Sequence, residues 1–211
     1  MNTTIDLSPF CARPLDPCSW LHSPWRCSEG LCATNGAMLI CVPDDGRQVP
    51  GEPNPAGPAM VTSLKARLAE IEKTDAAWRE AKSIALPEKK VCRHCQGVGH
   101  RYVKQCNECK GHGEFDHGSH TYECKECNGA GDVTGGPSDD KMECTSCSGY
   151  GEAFVPVLVH SGGDEASSYF QRSYLARLAA LPKCRICVTG PTDAALFIFD
   201  GGWGVLMPCR P

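Results

Sequence analysis

CRHCQGVG at residues 92–99, CNECKGHG at 106–113, CKECNGAG at 124–131 and CTSCSGYG at 144–151 are four copies of one pattern, C-x-x-C-x-G-x-G. They hold eight of the 16 cysteines in a chain of 211 residues. A C-x-x-C turn presents two sulfurs from one knuckle and a tetrahedral zinc site takes four, so two knuckles close one site and four close two. The glycines after each pair suit that geometry, because a residue without a side chain reaches positive φ and lets backbone amides turn toward the sulfurs. The repeat predicts two structural Zn2+ ions as cofactors, held by Cys92, Cys95, Cys106, Cys109, Cys124, Cys127, Cys144 and Cys147. A redox dithiol set and an iron–sulfur cluster are the competing chemistries.

The repeat marks residues 88–152 as a module, and long apolar faces are missing from it. Burial alone could hardly fold such a segment, so metal is expected to hold it together. Upstream, LCATNGAMLICV at 31–42 reads as two short strands joined at Asn35-Gly36, a pair suited to the positive φ angles of a tight hairpin turn. Residues 43–58, rich in Pro and Gly, read as a linker. From 59 to 82, Val61, Leu64, Leu68, Ile71 and Trp78 recur at helical spacing and predict one amphipathic helix.

Downstream, residues 153–160 predict a strand and 167–181 a second helix, with Phe170, Tyr174, Leu175, Leu178 and Leu181 on one side and Pro182 ending it. Residues 183–189, 194–199 and 204–207 then read as a three-stranded meander. Neither flank makes a core alone. The expected fold class is therefore α+β: a small antiparallel sheet with two helices, a discontinuous scaffold of residues 1–87 and 153–211 interrupted by a double-zinc β-hairpin insertion at 88–152.

A balance of 21 Lys and Arg against 25 Asp and Glu gives a formal charge of −4, with no overall pull toward nucleic acid or an anionic membrane. Within 88–152 there are eight Lys and Arg against eleven Asp and Glu. Eight thiolates around two divalent ions would add a formal charge of about −4. A net-acidic surface gains little from counterion release, although Lys89, Lys90, Arg93, Arg101 and Lys104 form a local basic patch. No apolar run reaches the length of a membrane span, and residues 1–6 lack the order of a signal peptide. A cytoplasmic protein without a membrane partner is expected, and a high cysteine count there points to metal before disulfides.

The fourfold array resembles the cysteine-rich zinc domain of DnaJ-type cochaperones, over about 65 of the 211 residues. In that family the first knuckle pairs with the fourth and the second with the third. The resemblance thus implies Cys92, Cys95, Cys144 and Cys147 around one zinc, and Cys106, Cys109, Cys124 and Cys127 around the other. It also implies that such a module binds polypeptide or holds a loop in a rigid, recognisable shape. No His-Pro-Asp tripeptide occurs, so there is no J domain and recruitment of an Hsp70-type partner does not carry over. A weaker likeness lies in the flanks: CATNGAMLICV and the segment from YLARLAALPKCRICVTG to the terminal strand look similar to elements of bacterial DNA sliding clamps. That likeness implies a clamp-like subdomain, typical of small accessory proteins of bacteriophage, with about one repeat and no transferable functional residue.

Other constellations read as structural. His94, His100, His112, His117 and His120 fall in or between knuckles, but eight cysteines already saturate two tetrahedra. Cys184 and Cys187 sit three apart on an expected strand, so their sulfurs should diverge and pack as small side chains. Cys11, Cys18, Cys27, Cys32 and Cys41 are irregularly spaced and are not expected to bind a third ion, and Cys209 is unassigned. Trp20 and Trp25 read as core or loop-packing aromatics. No G-x-x-x-x-G-K-[ST], G-x-S-x-G or H-E-x-x-H occurs, so no catalytic set argues for an enzyme. The expected function is zinc-dependent binding of a protein partner. The alternatives are a nucleic-acid-associated accessory factor in replication, recombination or transcription, and a thiol–disulfide or holdase chaperone.

Overall fold

The computed structural model describes residues 4–14, 16, 18–49, 57–74, 77–160 and 167–210. In chain order come β1 (Trp25–Cys27), β2 (Gly30–Thr34), β3 (Met38–Val42), α1 (Gly57–Glu72) and β4 (Arg79–Glu80). Then follow β5 (His100–Gln105), β6 (Glu114–His117), β7 (His120–Glu123), β8 (Asp132–Thr134) and β9 (Asp140–Glu143). The chain ends with β10 (Pro156–His160), β11 (Ser167–Gln171), α2 (Arg172–Ala180), β12 (Arg185–Cys187), β13 (Ala195–Phe199) and β14 (Gly202–Leu206). The elements separate into two compact units, Met1–Lys89 with Phe154–Pro211, and Lys90–Ala153. Among the described residues no helix is long and apolar enough to cross a membrane.

The first unit is α+β, built on a seven-stranded antiparallel sheet in the order β1-β2-β3-β14-β13-β12-β4. That sheet is larger than the small one expected, because the short edge strands β1 and β4 extend the hairpin and the meander at either end. Its central strands are buried on both faces, which is why they read as continuous apolar runs. One face carries Trp25, Cys32, Leu39, Cys41, Leu196, Trp203 and Val205, packed with Val61 and Leu68 of α1. Residues of the other parity, among them Leu31, Ile40, Phe197 and Leu206, are buried as well. Phe197 and Phe199 lie opposite Gly204 and Gly202, and a Cβ at either glycine would collide with the facing ring. The sequence FIFDGGWG is thus a matched pair of strands, with missing side chains on one making room for rings on the other.

The hairpin forms where expected, with Cys32 opposite Cys41. At its turn the Asn35 side chain accepts the amides of Ala37 and Met38, and only Gly36 takes positive φ. Two helix boundaries differ from expectation. α1 ends at Glu72, because Thr74 turns its hydroxyl and its amide onto the Ile71 carbonyl. Trp78 therefore reaches the same core from outside the helix, and Arg79–Glu80 pairs with β12. Residues 167–171, expected to begin the second helix, form β11 beside β10; Ser168 and Phe170 alternate inward with a period of two, and the helix begins at Arg172. Of the expected linker, residues 50–56 lie outside the described residues.

The second unit has a three-stranded sheet, β8-β5-β9, and a separate hairpin, β6-β7. Its buried side chains are the eight knuckle cysteines and Val103, with Glu152 at the base. Hydrophobic burial is therefore a minor term here.

Candidate metal centres

Each knuckle repeats one local conformation. The residue after the second cysteine (Gln96, Lys110, Asn128 or Ser148) takes φ between 46° and 52°, and the two glycines that follow are also positive. None of those four residues is β-branched, as the left-handed region requires. The second glycine then donates its amide to the second cysteine of its own knuckle: Gly99 to Cys95 Sγ at 3.3 Å, Gly113 to Cys109 at 3.2 Å, Gly131 to Cys127 at 3.3 Å and Gly151 to Cys147 at 3.3 Å. Such bonds favour the thiolate and orient it for a cation.

The knuckles assemble in pairs. Cys92, Cys95, Cys144 and Cys147 form one buried group, and Cys106, Cys109, Cys124 and Cys127 the other, with all four sulfurs of each within 4.8 Å of one another. The structure thus brings the first knuckle to the fourth and the second to the third. Across the first group Cys92 and Cys144 Sγ are 3.9 Å apart and Cys95 and Cys147 3.6 Å; across the second, Cys106 and Cys124 are 3.9 Å and Cys109 and Cys127 3.7 Å. A regular tetrahedron with Zn–S bonds near 2.3 Å has sulfur–sulfur edges of about 3.8 Å, whereas a disulfide needs about 2.05 Å. Each group can therefore hold one metal ion, and the donor set fits zinc.

The electrostatics of the sulfurs point the same way. Backbone amides of Cys95 and His94 hold the Cys92 thiol down at about 7. At Cys109, burial works against ionisation, but the amides of Gly113 and Gly111 and the neighbouring thiols bring it to about 7. Burial pushes Cys147 and Cys127 up to about 12, reinforced by the sulfurs around them. Cys92 and Cys109 thus form thiolates readily, whereas Cys147 and Cys127 need a cation beside them to ionise.

The histidines of the knuckle region join neither group, consistent with eight cysteines saturating two tetrahedra. His100 bonds the Val98 carbonyl and stacks edge-on against Tyr102. Cys184 and Cys187 are buried and do not share a cluster among the described residues. Trp25 is fully buried in the core, while Trp20 is 37% exposed. The structure does gather a set that irregular spacing concealed: Cys27, Cys32 and Cys41 of the first unit lie within 4.8 Å of one another. The signal was the Asn35-Gly36 turn, whose register sets Cys32 across from Cys41. Cys11 stays apart, donating to the Leu7 carbonyl.

No protein family, no curated protein and no solved structure matches this chain.

Proposed function

We propose that the protein is a non-enzymatic zinc protein in which a double-zinc module offers a rigid surface to a protein partner. The donor sets support structural rather than catalytic ions, since four cysteines close each tetrahedron and leave no position for substrate. The observation that carries the reading is the hairpin beside the second group. On β6 and β7 all eight residues are exposed, and Phe115 (41% exposed) stands directly across from Tyr122 (54% exposed). A cross-strand aromatic pair on a sheet with no core of its own is surface held ready for contact.

The test is affinity purification from the native host with the intact chain, with Phe115→Ser/Tyr122→Ser, and with Cys124→Ser. A partner retained by the intact chain and lost by both variants supports the reading; equal retention by all three overturns it. A nucleic-acid-associated role is the second reading, supported by the exposed Lys104 and Lys141 on the β5–β9 sheet. Salt-dependent retention on DNA would favour it.

A further inference from the structure

Three thiols of the first unit meet where no repeat announces them. Cys32 of β2 lies opposite Cys41 of β3, with their sulfurs 2.9 Å apart, and Cys27 of β1 reaches within 3.5 Å of Cys32. All three belong to the α1-covered side of the sheet, among Trp25, Leu39, Leu68 and Trp203. Cys32 and Cys41 are buried and Cys27 is partly exposed. Cys41 borders an open cleft of about 380 Å³ that Glu29, Lys65, Glu72 and Trp203 also line. Among the described residues the side-chain hydrogen-bond partners of Cys32 are the other two sulfurs. The indole N–H of Trp25, packed in the same cluster, has no hydrogen-bond partner.

Isolated buried cysteines behave as small apolar side chains, but three converging on one point form a soft donor set. We propose that Cys27, Cys32 and Cys41 form a third metal site, three thiolates for one thiophilic divalent cation such as zinc, with its fourth ligand supplied from the cleft beside Cys41. One face of a zinc–thiolate tetrahedron has edges of about 3.8 Å. The Cys27–Cys32 separation of 3.5 Å is close to that, and the Cys32–Cys41 pair, at 2.9 Å, has to open by about 0.9 Å to reach it. Three thiolates around a divalent ion leave one net negative charge. Lys65, whose ammonium sits 5.3 Å from the Trp203 ring centroid on the same cleft, is placed to balance it. With three protein ligands in place of four, this ion exchanges more readily than those of the knuckles. The site uses none of the knuckle cysteines, so it stands independently of the proposed function.

The test counts ions on the full chain, kept reduced, by native mass spectrometry. With excess zinc the intact protein carries three ions, and a brief chelator wash returns it to two. Cys27→Ser carries two under both conditions. In the intact protein, iodoacetamide labels Cys27 after the wash and is blocked from it when zinc is restored, a readout that holds even if the variant fails to fold. Three results would each overturn the site: no third ion at any zinc concentration, a third ion that persists in folded Cys27→Ser, or Cys27 labelling indifferent to zinc. A Cys32–Cys41 disulfide in protein purified from reducing cells would overturn it too, since it consumes two of the three ligands.

Discussion

The amide of Cys92 donates to the carbonyl of Gly151 at 2.9 Å, and its counterpart, the amide of Cys144, donates to Gly99 at 3.0 Å. The other pair repeats the exchange, Cys106 to Gly131 at 2.9 Å and Cys124 to Gly113 at 2.8 Å. Each metal group is therefore joined twice, once through sulfur and once through reciprocal backbone bonds. The first cysteine and the last glycine of the C-x-x-C-x-G-x-G pattern are partners across the pair, not within a copy.

This pairing sets which ligand losses add. Zinc contributes on the order of 10 kcal/mol of apparent folding energy to small metal modules, so losing one thiolate should release its ion and disorder its group. Cys92→Ser/Cys144→Ser removes two ligands of one group and should cost one ion per chain. Cys92→Ser/Cys124→Ser strikes both groups and should cost two. Elemental analysis of chelator-washed protein reads the difference. Loss of a single ion from the second double variant would contradict the pairing.

Glycine substitutions should sort by what lies across the pair. A Cβ at Gly99 would sit on the carbonyl of Gly149, and one at Gly151 on that of Gly97, both at positive φ. Gly118, in the β6–β7 turn, has positive φ but nothing within 4 Å. Gly118→Ala should therefore cost only the left-handed backbone penalty, about 1–2 kcal/mol. Gly99→Ala adds a clash with rigid backbone and should release the ion of the first group far faster to a colorimetric chelator. Equal release rates for the two variants would remove the close approach as the reason for the second glycine.

The same contacts explain what could be read from the sequence. Four identical knuckles announced their ligands, because metal geometry acts over a few residues. Which knuckle met which was not in the spacing; the resemblance implied it, and the backbone exchange now gives its physical basis. Cys27, Cys32 and Cys41 were hidden because the three sit on separate strands and only register unites them. Helical spacing also runs through 77–82 and 167–171, which lie outside α1 and α2, for a related reason. Trp78 falls two helical turns after Ile71 and Phe170 one turn before Tyr174, so both meet helical spacing; pairing with β10 holds Phe170 in a strand, and Arg79–Glu80, next to Trp78, pair with β12.

Metal retention should fall with acid. In the metal-free groups Cys92 and Cys109 are held near 7 while Cys127 and Cys147 are pushed up to about 12. A bound cation requires all four as thiolates, so binding lowers every thiol below its metal-free value and expels protons. The stability this supplies is present at alkaline and neutral pH and is lost as pH falls and protons displace the ion. Below 7, where Cys92 and Cys109 also begin protonated in the free groups, proton release per ion should increase. Calorimetry of zinc binding in two buffers of different ionisation enthalpy, at pH 6 and pH 8, measures it. Equal proton release at both values would contradict the assigned ionisation states.

Excision offers the most direct test of whether the scaffold depends on the module. At the base of the second unit, the amide of Ala153 donates to the carbonyl of Lys90 at 2.8 Å, and Val91 bridges Glu152. The chain therefore enters and leaves within one strand spacing, about 5 Å. A short Gly-Ser linker spans that gap at small entropic cost, since loop closure rises only slowly with length. The seven-stranded sheet draws its strands from both sides of the excised segment but none from within it. Replacing residues 90–153 should thus leave a protein with a cooperative thermal transition and native near-ultraviolet dichroism from Trp25 and Trp203. An excised chain that is soluble but lacks a cooperative transition would show that the scaffold needs the module to fold.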